Sequence, residues 1–571
     1  MSQASTRLIL VAVAAAAAAV ASCNSGNADI GGPPAVPGKG GASGSDAAVD
    51  VPTTPTVDAP AAGSGGAQGT DAGPRPNDTA PLSSDAGRPP ADAPGPGPDG
   101  GNVPAGPAGP WARNLRVGLV ELAQGPFVKL GEAGAAIPVA MRNAPVVEGR
   151  PFFARVHVAT DAGFTARALR AVLTVAYTDN TKFEIEDAKM ISAASAVDRL
   201  ETTFNFLVPA ENVKPGSTLV ASIYEMGAAA GAEPAMPPRF PATGTADLGI
   251  KAGRMEMWVV AVPGSATLVV TPERLKKVEN DVYDLYPVQK VNVRVRAPIT
   301  YAAPFSSAKG FTALTQAREM DGAKPWEYYH LFVQANLGFL GVGNRAGATA
   351  ADGSRRVAMS ILSNMNVDSS TNSTAHELGH NHGRAHTPGC GAAGPDNMYP
   401  YMMPPGDAGV NGYSLTNKAF KSRTLWRDLM SYCRPQGGGR WISDYVWGAF
   451  EVRVRIVTAF NTGMWSEDEM TSRSLQGFVD PGEKPLWTVV AGDLVDGVAA
   501  VTATRYAVLT LADGRRVKTA VSVNELTDHV TQEFAVNLGG ADYSDGDVVE
   551  AEVVVDGNRS VVPVNSMARY R

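Results

Sequence analysis

Residues 376–386 read His376-Glu377-Leu378-Gly379-His380-Asn381-His382-Gly383-Arg384-Ala385-His386. This run holds four of the seven histidines in the 571-residue chain, in the pattern H-E-x-x-H-x-x-G-x-x-H. A solvated helix that carried histidines by chance would have no reason to show this spacing, or to be followed by a glycine and a further histidine at fixed offsets. The pattern therefore predicts a site at which several imidazoles act together.

The spacing allows the geometry of that site to be built. An α-helix turns by about 100° per residue, so His376 and His380 lie on one face and can converge on one metal ion. Gly383 is expected to end the helix, because glycine accepts the left-handed conformation of a sharp exit. His386 then returns as the third ligand. Three protein ligands leave one position open, which is typical of catalytic rather than structural Zn²⁺.

Glu377 and His382 occupy other positions around the same helix. Glu377 lies on the flank beside the ligands, where a carboxylate suits a general base that acts on metal-activated water. His382 lies about 240° around the helix from His376. It is expected to face away from the metal and to serve at the surface or in packing.

A second motif lies downstream, where residues 428–433 read Asp428-Leu429-Met430-Ser431-Tyr432-Cys433. The extended histidine motif followed by a methionine turn resembles the metzincin clan of zinc metalloproteases, over residues 255–450 of this chain. The resemblance implies that Met430 forms a tight turn beneath the zinc ligands. Tyr432 matches a tyrosine that, in the astacin- and serralysin-like branches, reaches the zinc or the oxyanion of the transition state.

The expected function is hydrolysis of peptide bonds in extracellular proteins or glycoproteins by a zinc-dependent endopeptidase with one catalytic Zn²⁺. The flanking β-rich segments resemble the layout of secreted bacterial metzincins that cut glycoproteins such as mucins, which is a likeness of architecture alone. The alternative is a cell-surface binding module or adhesin on a protease-like scaffold. Loss of Glu377 or of a ligand histidine would favour that alternative, and all of them are present.

The N-terminus predicts export. Arg7 precedes an apolar run at residues 8–20 that is too short to span a bilayer, and the run ends Val20-Ala21-Ser22-Cys23. This ending resembles a bacterial lipobox, which implies lipidation at Cys23, a signal peptide at 1–23 and a lipid-anchored protein at the cell surface or outer membrane. An ordinary secretory signal, cut after a small residue, is the alternative.

Residues 24–110 form a Gly/Pro/Ala-rich segment, and the first aromatic residue of the chain is Trp111. Such a segment cannot bury enough apolar surface to offset its chain entropy, so a disordered linker is predicted. The formal net charge is −7 and the sequence contains no basic stripe. Nucleic acid is therefore not expected as a partner.

The chain has three cysteines. If Cys23 is lipidated, Cys390 and Cys433 are the remaining pair, and both lie in sequence close to the predicted site. An exported protein meets oxidising conditions, so a disulfide between them is predicted. The competing interpretation is that they are extra zinc ligands, although three histidines already satisfy the ion.

The predicted fold is multidomain. An α/β metzincin-like catalytic domain, with a twisted sheet and an active-site helix, is expected at residues 251–455, where strand-like and helix-like patterns alternate. β-sandwich-like domains are expected at 111–250 and 470–571, where short β-rich runs are separated by turn residues. The resemblance further implies that the strand Val357–Ile361 is the sheet edge that pairs with peptide substrate. His157 and His330 are expected to be packing residues.

Overall fold

The chain is a β-rich, multidomain protein built from several small sheets and few helices. The computed structural model describes residues 109–227, 234–335, 340–362, 367–433, 439–463, 470–495, 500–527 and 530–568. The expected signal peptide, Cys23 and the linker up to residue 108 lie outside the described residues. All described residues belong to one compact unit, Asp85–Arg571. Among them, no helix combines the length and apolar character that crossing a membrane requires.

The first part of the described chain forms two antiparallel sheets, in the orders β3-β2-β1-β5-β8 and β10-β9-β6-β7, with β11 also pairing with β9. Alternation along the strands explains their packing: Leu169, Leu173 and Val175 are buried while Arg170 and Thr174 face outward. Both sheets contribute to one hydrophobic cluster, as in a sandwich. The strands are β1 Leu115–Ala123, β2 Phe127–Glu132, β3 Ala135–Ala136, β4 Val146–Val147, β5 Phe152–Thr160, β6 Arg167–Ala176, β7 Lys182–Ile191, β8 Phe204–Val208, β9 Thr218–Glu225, β10 Arg239–Phe240, β11 Ala246–Asp247 and β12 Ile250–Lys251.

The central part forms a five-stranded mixed sheet in the order β14-β13-β15-β17-β16. Its neighbours are parallel except for β16, which runs antiparallel to β17. The elements are β13 Glu256–Pro263, α1 Pro272–Leu285, β14 Lys290–Val295, α2 Ser307–Met320, β15 Glu327–Val333, β16 Gly341–Gly343, β17 Val357–Ile361 and α3 Val367–Asn381. Thr271 caps α1, because its side chain accepts a hydrogen bond from the Arg274 amide, and Pro272 occupies the first turn.

Helices cover both faces of this sheet. On one face, Val278 and Val282 of α1 and Leu378 of α3 share the large hydrophobic cluster of the N-terminal sheets. On the other face, Phe311 and Leu314 of α2 pack against the sheet in a second cluster. Helix α3 is therefore held between the central sheet and the residues that follow it in the chain.

The strand Val357–Ile361 is not the sheet edge, so that expectation was wrong. β17 lies between β15 and β16, and the edge is the three-residue strand Gly341–Gly343. Two glycines in three residues give no β-propensity signal, so the sequence pattern does not reveal this strand. The pairing is nevertheless regular, with Gly341 opposite Ser360 and Gly343 opposite Ala358.

Short strands and one long helix follow α3. They are β18 Gly412–Ser414, β19 Ala419–Lys421, β20 Arg427–Asp428, β21 Arg440–Trp441 and α4 Asp444–Phe460. Ser443 caps α4 by accepting a hydrogen bond from the Val446 amide. Trp447 and Phe450 of α4 are buried in the large cluster. This helix packs against the core that supports α3.

The last part forms two four-stranded sheets, in the orders β23-β22-β27-β26 and β25-β24-β28-β29. Leu475 and Val536 of the first sheet share one hydrophobic cluster with Leu509 and Val553 of the second. The strands are β22 Arg473–Val479, β23 Leu486–Ala491, β24 Arg505–Leu511, β25 Arg516–Thr519, β26 Ser522–Glu525, β27 Gln532–Asn537, β28 Val548–Val555 and β29 Asn558–Val562. We call these two sheets the C-terminal β-domain.

His157 and His330 both lie buried in strands. The Nε2 atom of His157 is 3.1 Å from Glu121 Oε1, and that of His330 is 2.8 Å from Ser360 Oγ. Burial lowers the pKa of His330 to about 3, so this imidazole is neutral at physiological pH. Each of the two is engaged with neighbouring strand residues.

Candidate metal centre

The three histidines of the motif converge. His376 and His380 lie on α3, and His386 lies beyond it, because Gly383 leaves the helix with φ +79°. One nitrogen of each imidazole lies within 4.8 Å of those of the other two, and Nε2 of His376 is 3.2 Å from Nε2 of His380. All three residues are at most 2% exposed. Within the described ranges, this is the only such group of three or more His, Cys, Asp or Glu side chains.

Main-chain carbonyls determine the tautomer of each of these imidazoles. The Nδ1 atom of each histidine lies at hydrogen-bond distance from a main-chain oxygen. The distances are 2.7 Å from His376 to Leu429 O, 2.7 Å from His380 to Arg384 O and 3.0 Å from His386 to Ala393 O. A carbonyl oxygen can only accept a hydrogen bond, so each Nδ1 carries a proton and Nε2 is the nitrogen that remains for a ligand. Three such nitrogens fit a shared cation, which binds imidazole in its neutral form.

Glu377 is buried beside the histidines, at 2% exposed, and the edge strand β16 passes directly over it. A Cβ atom on Gly341 would overlap Glu377 Oε1 and come within 2.7 Å of its Cγ. A Cβ on Gly343 would lie 2.9 Å from His380 Cβ. The two glycines therefore let the strand approach the carboxylate and the ligands. Neither glycine was predicted from the sequence to belong to the site, although the spacing Gly341-Val342-Gly343 places both on one face of a strand.

The predicted methionine turn lies beneath the ligands. Met430 is fully buried, and a Cβ on Gly379 of α3 would come 2.5 Å from its Sδ atom. Asp428 holds the turn, since Oδ1 accepts from the Met430 amide at 2.8 Å and Oδ2 from the Ser443 amide at 3.0 Å. The Met430 carbonyl accepts from the Thr387 amide at 2.9 Å. The turn is thus hydrogen-bonded to the chain that carries His386.

Tyr432 lies with the histidines as well. Its ring centroid is 4.5 Å from that of His386 and 6.4 Å from that of His376. Arg440 was not predicted from the sequence to belong to the site, yet its Nη1 atom is 3.4 Å from His376 Nδ1. Burial lowers the pKa of Arg440, while the charge of Glu377 opposes that shift. A positive side chain therefore accompanies the carboxylate in this site.

His382 is not part of the group. Its ring stacks on Tyr328 with centroids 4.9 Å apart, its Nε2 atom is 3.2 Å from the Tyr328 hydroxyl, and its Nδ1 atom is 2.7 Å from Leu378 O. Burial lowers its pKa to about 3, so the ring is neutral. His382 is a packing residue on the side of α3 that faces Tyr328.

Cys390 and Cys433 are joined by a disulfide, with their Cα atoms 5.2 Å apart. The bridge ties the segment after His386 to the segment after Tyr432. Sulfur atoms joined in this way are not thiolates, so neither cysteine is an additional zinc ligand.

Replacing both cysteines by serine should lower the free energy of unfolding. The bridge closes 43 residues, and loss of such a loop constraint costs about 2–4 kcal/mol. Urea denaturation of the variant and of the oxidised wild type measures the difference. Mass spectrometry of a non-reduced digest of the exported protein should find the linked peptides. Two alkylatable thiols in that protein would show that the bridge does not form.

Comparisons with known proteins identify no family for this chain. No protein-family model matches it, and no curated protein matches it. Among solved structures, a calcium-binding mutant of Bacteroides uniformis beta-glucuronidase 2 aligns over 39% of this chain and 25% of its own length, with 8% identity and a TM-score of 0.13. A likeness at that level carries no argument about fold or function.

Proposed function

We propose that this protein is a zinc-dependent endopeptidase of the metzincin type, in which His376, His380 and His386 hold the ion. The observation that carries the proposal is the convergence of three imidazoles in a buried site, with Glu377 on the helix that carries His376 and His380. The donor set consists of three nitrogens and leaves a position open, which is the arrangement of catalytic zinc sites. The proposal is further supported by the Met430 turn and by Tyr432, which lie beside the histidines where the metzincin motifs have a methionine turn and a tyrosine.

Each residue of the site has a role in peptide hydrolysis. Zinc, when bound, supplies a Lewis acid for the scissile carbonyl and lowers the pKa of water at the site. Glu377 takes a proton from the attacking water at its carboxylate and passes a proton to the leaving amine. The Tyr432 hydroxyl donates a hydrogen bond to the oxyanion that develops at the scissile carbonyl.

The substrate is a peptide bond of an exported protein or glycoprotein, which the enzyme meets while a lipid anchor at Cys23 holds it at the cell surface. The expectation that Val357–Ile361 pairs with this substrate is not retained, because β17 lies inside the sheet and the edge strand Gly341–Gly343 is buried.

Digestion of casein or gelatin tests the proposal. The full-length protein should cleave the substrate, a chelator should abolish cleavage, and added zinc should restore it, because binding of the ion depends on three neutral histidines. A surface adhesin on the same scaffold would bind protein without cleaving it. Binding of casein with no new fragments, at full zinc occupancy, would contradict the proposal and favour that alternative.

Substituting Gly341→Ala should lower kcat/KM while zinc stays bound. The added methyl group would overlap Glu377 Oε1, so the carboxylate must move, and displacing a reacting group by about 1 Å costs about 100-fold. Gly539→Ala is a suitable control, because a Cβ there meets nothing within 4 Å. Unchanged kcat/KM in Gly341→Ala would mean that Glu377 does not need its present position.

A further inference from the structure

The third histidine of the metal centre lies in a loop, which we call the ligand loop and define as residues 386–396. His386 opens this loop, and the Ala393 carbonyl that lies 3.0 Å from His386 Nδ1 belongs to the same loop. The loop therefore carries both a ligand and the group that orients it. His376 and His380 differ, because both lie on helix α3 and their orienting carbonyls lie outside the loop.

The backbone of the ligand loop has wide conformational freedom. Gly389, Cys390, Gly391 and Gly394 all have positive φ. Glycine adopts such conformations without strain, and a chain rich in glycine also has many other conformations to choose from. Among the described residues, no hydrogen bond joins residues 388–395 to a segment outside the loop. Hydrogen bonding alone therefore does not hold the middle of the loop in place.

The disulfide between Cys390 and Cys433 supplies the missing tie. Hydrogen bonds hold the two ends of the loop, since the Thr387 amide donates to the methionine turn at 2.9 Å and the Tyr445 hydroxyl donates to Asp396 Oδ2 at 3.0 Å. Between these ends, the bridge is the covalent link from the loop to the segment that follows the methionine turn. The disulfide thus restrains the part of the chain that carries the carbonyl of residue 393.

The two cysteines differ in their exposure to solvent. Cys390 is exposed, whereas Cys433 is 4% exposed. A thiolate breaks a disulfide by attacking one sulfur and displacing the other, and access decides which sulfur is attacked. A thiol in solution therefore reaches this bridge at Cys390. Exposed disulfides are also the ones that are labile rather than resistant to reduction.

We propose that the Cys390–Cys433 disulfide is a redox switch that sets the affinity of the metal centre for zinc. With the bridge closed, the ligand loop holds His386 and the Ala393 carbonyl in position. With the bridge open, the loop samples other conformations, and the affinity for zinc falls because a ligand and its orienting group are no longer fixed. The inference rests on the zinc site of the proposed function.

The reductant is a low-molecular-weight thiol. Its thiolate attacks Cys390 Sγ and forms a mixed disulfide, while Cys433 leaves as a thiolate and takes up a proton. A second thiolate attacks the sulfur of the first reductant molecule, and Cys390 leaves in the same way. Two reductant thiols are thereby oxidised to one disulfide, and the protein disulfide is reduced to two thiols. Oxidation of the two cysteines closes the bridge again.

The zinc affinity of the oxidised and of the reduced full-length protein tests the inference. A trialkylphosphine reduces the bridge, and a chromophoric chelator competes for the ion. The dissociation constant for zinc should rise by about 10–100-fold on reduction, the scale for groups that support a ligand. Reoxidation should restore the original value. An unchanged dissociation constant, in protein whose two thiols can be alkylated, would overturn the proposal.

The matched control is the double variant Cys390→Ser, Cys433→Ser. It should bind zinc as weakly as the reduced wild type and should not respond to the phosphine, so that a direct effect of the reductant on the ion is measured separately. Near-UV circular dichroism reports side-chain packing and should persist after reduction. Loss of that signal would show general unfolding and contradict a local switch. Equal zinc affinity in both redox states removes the switch alone, whereas an oxidised protein that binds no zinc removes the proposed function as well.

Discussion

Glu377→Gln should keep its zinc and lose at least about 100-fold in kcat/KM for peptide hydrolysis, the usual scale for a general base. Glutamine has nearly the size of glutamate, so the contact with β16 at Gly341 is preserved. It cannot accept a proton at physiological pH, so the attacking water is no longer activated. The three imidazoles are held by main-chain carbonyls and do not depend on the carboxylate for their orientation.

The measurement combines metal analysis with steady-state kinetics on one peptide. Glu273→Gln is the matched control, since Glu273 lies in the first turn of α1, outside the site, and its activity should stay at the wild-type level. Near-normal turnover by Glu377→Gln would assign the activation of water to another group. Loss of zinc from this variant would instead make Glu377 a ligand, against the geometry described above.

His380→Ala should lose the metal and with it all measurable peptidase activity. His380 lies nearest the other two imidazoles, with Nε2 3.2 Å from that of His376 and its ring centroid 4.7 Å from that of His386. Removing it leaves two ligands. Changes to groups that only support a ligand lower metal affinity by about 10–100-fold, so loss of a ligand itself should exceed about 100-fold.

His382→Phe is the control for this substitution, because it removes a buried histidine from the turn directly after the same helix. His382 stacks on Tyr328 and also contacts the tilted ring of Tyr286, so phenylalanine can take its place with the loss of hydrogen bonds alone. That variant should retain zinc and activity, while its melting temperature falls by about 1 °C for a loss of about 1 kcal/mol in stability. Full zinc occupancy in His380→Ala would overturn the ligand assignment.

The parts of the site that are local in sequence could be predicted. His376 and His380 are one helical turn apart, and Gly383 follows them directly, so their arrangement depends on helix geometry alone. The cap of α1 by Thr271 is equally local, and the structure contains it. The order of strands and helices from β13 to β17 follows from hydrophobic periodicity. Strand β16 is the exception, because it is too short and too rich in glycine to show a periodic pattern.

The groups that support the site are distant in sequence, and no local pattern identifies them. Leu429, whose carbonyl holds His376, is 53 residues away from it, and Thr527, whose hydroxyl accepts a hydrogen bond from the Gly343 amide, is 184 residues away from that glycine. Contacts of that kind arise from packing of whole elements. Helix α3 begins at Val367, so Asn372 and Ser373, which belong to residue types favoured at helix caps, lie inside it. Residues favoured at caps are tolerated inside a helix that tertiary contacts hold in place.

The use of main-chain carbonyls to hold all three ligands has a consequence for how this protein can evolve. A carbonyl belongs to the backbone, so replacing the side chain of Ala393, which is exposed, leaves its bond to His386 untouched. The same freedom extends, within the limits of packing, to Arg384 and Leu429. Neutral drift can therefore rewrite the surroundings of the centre while its chemistry persists, so we expect signs of ancestry to fade from the rest of the sequence before the eleven-residue run changes.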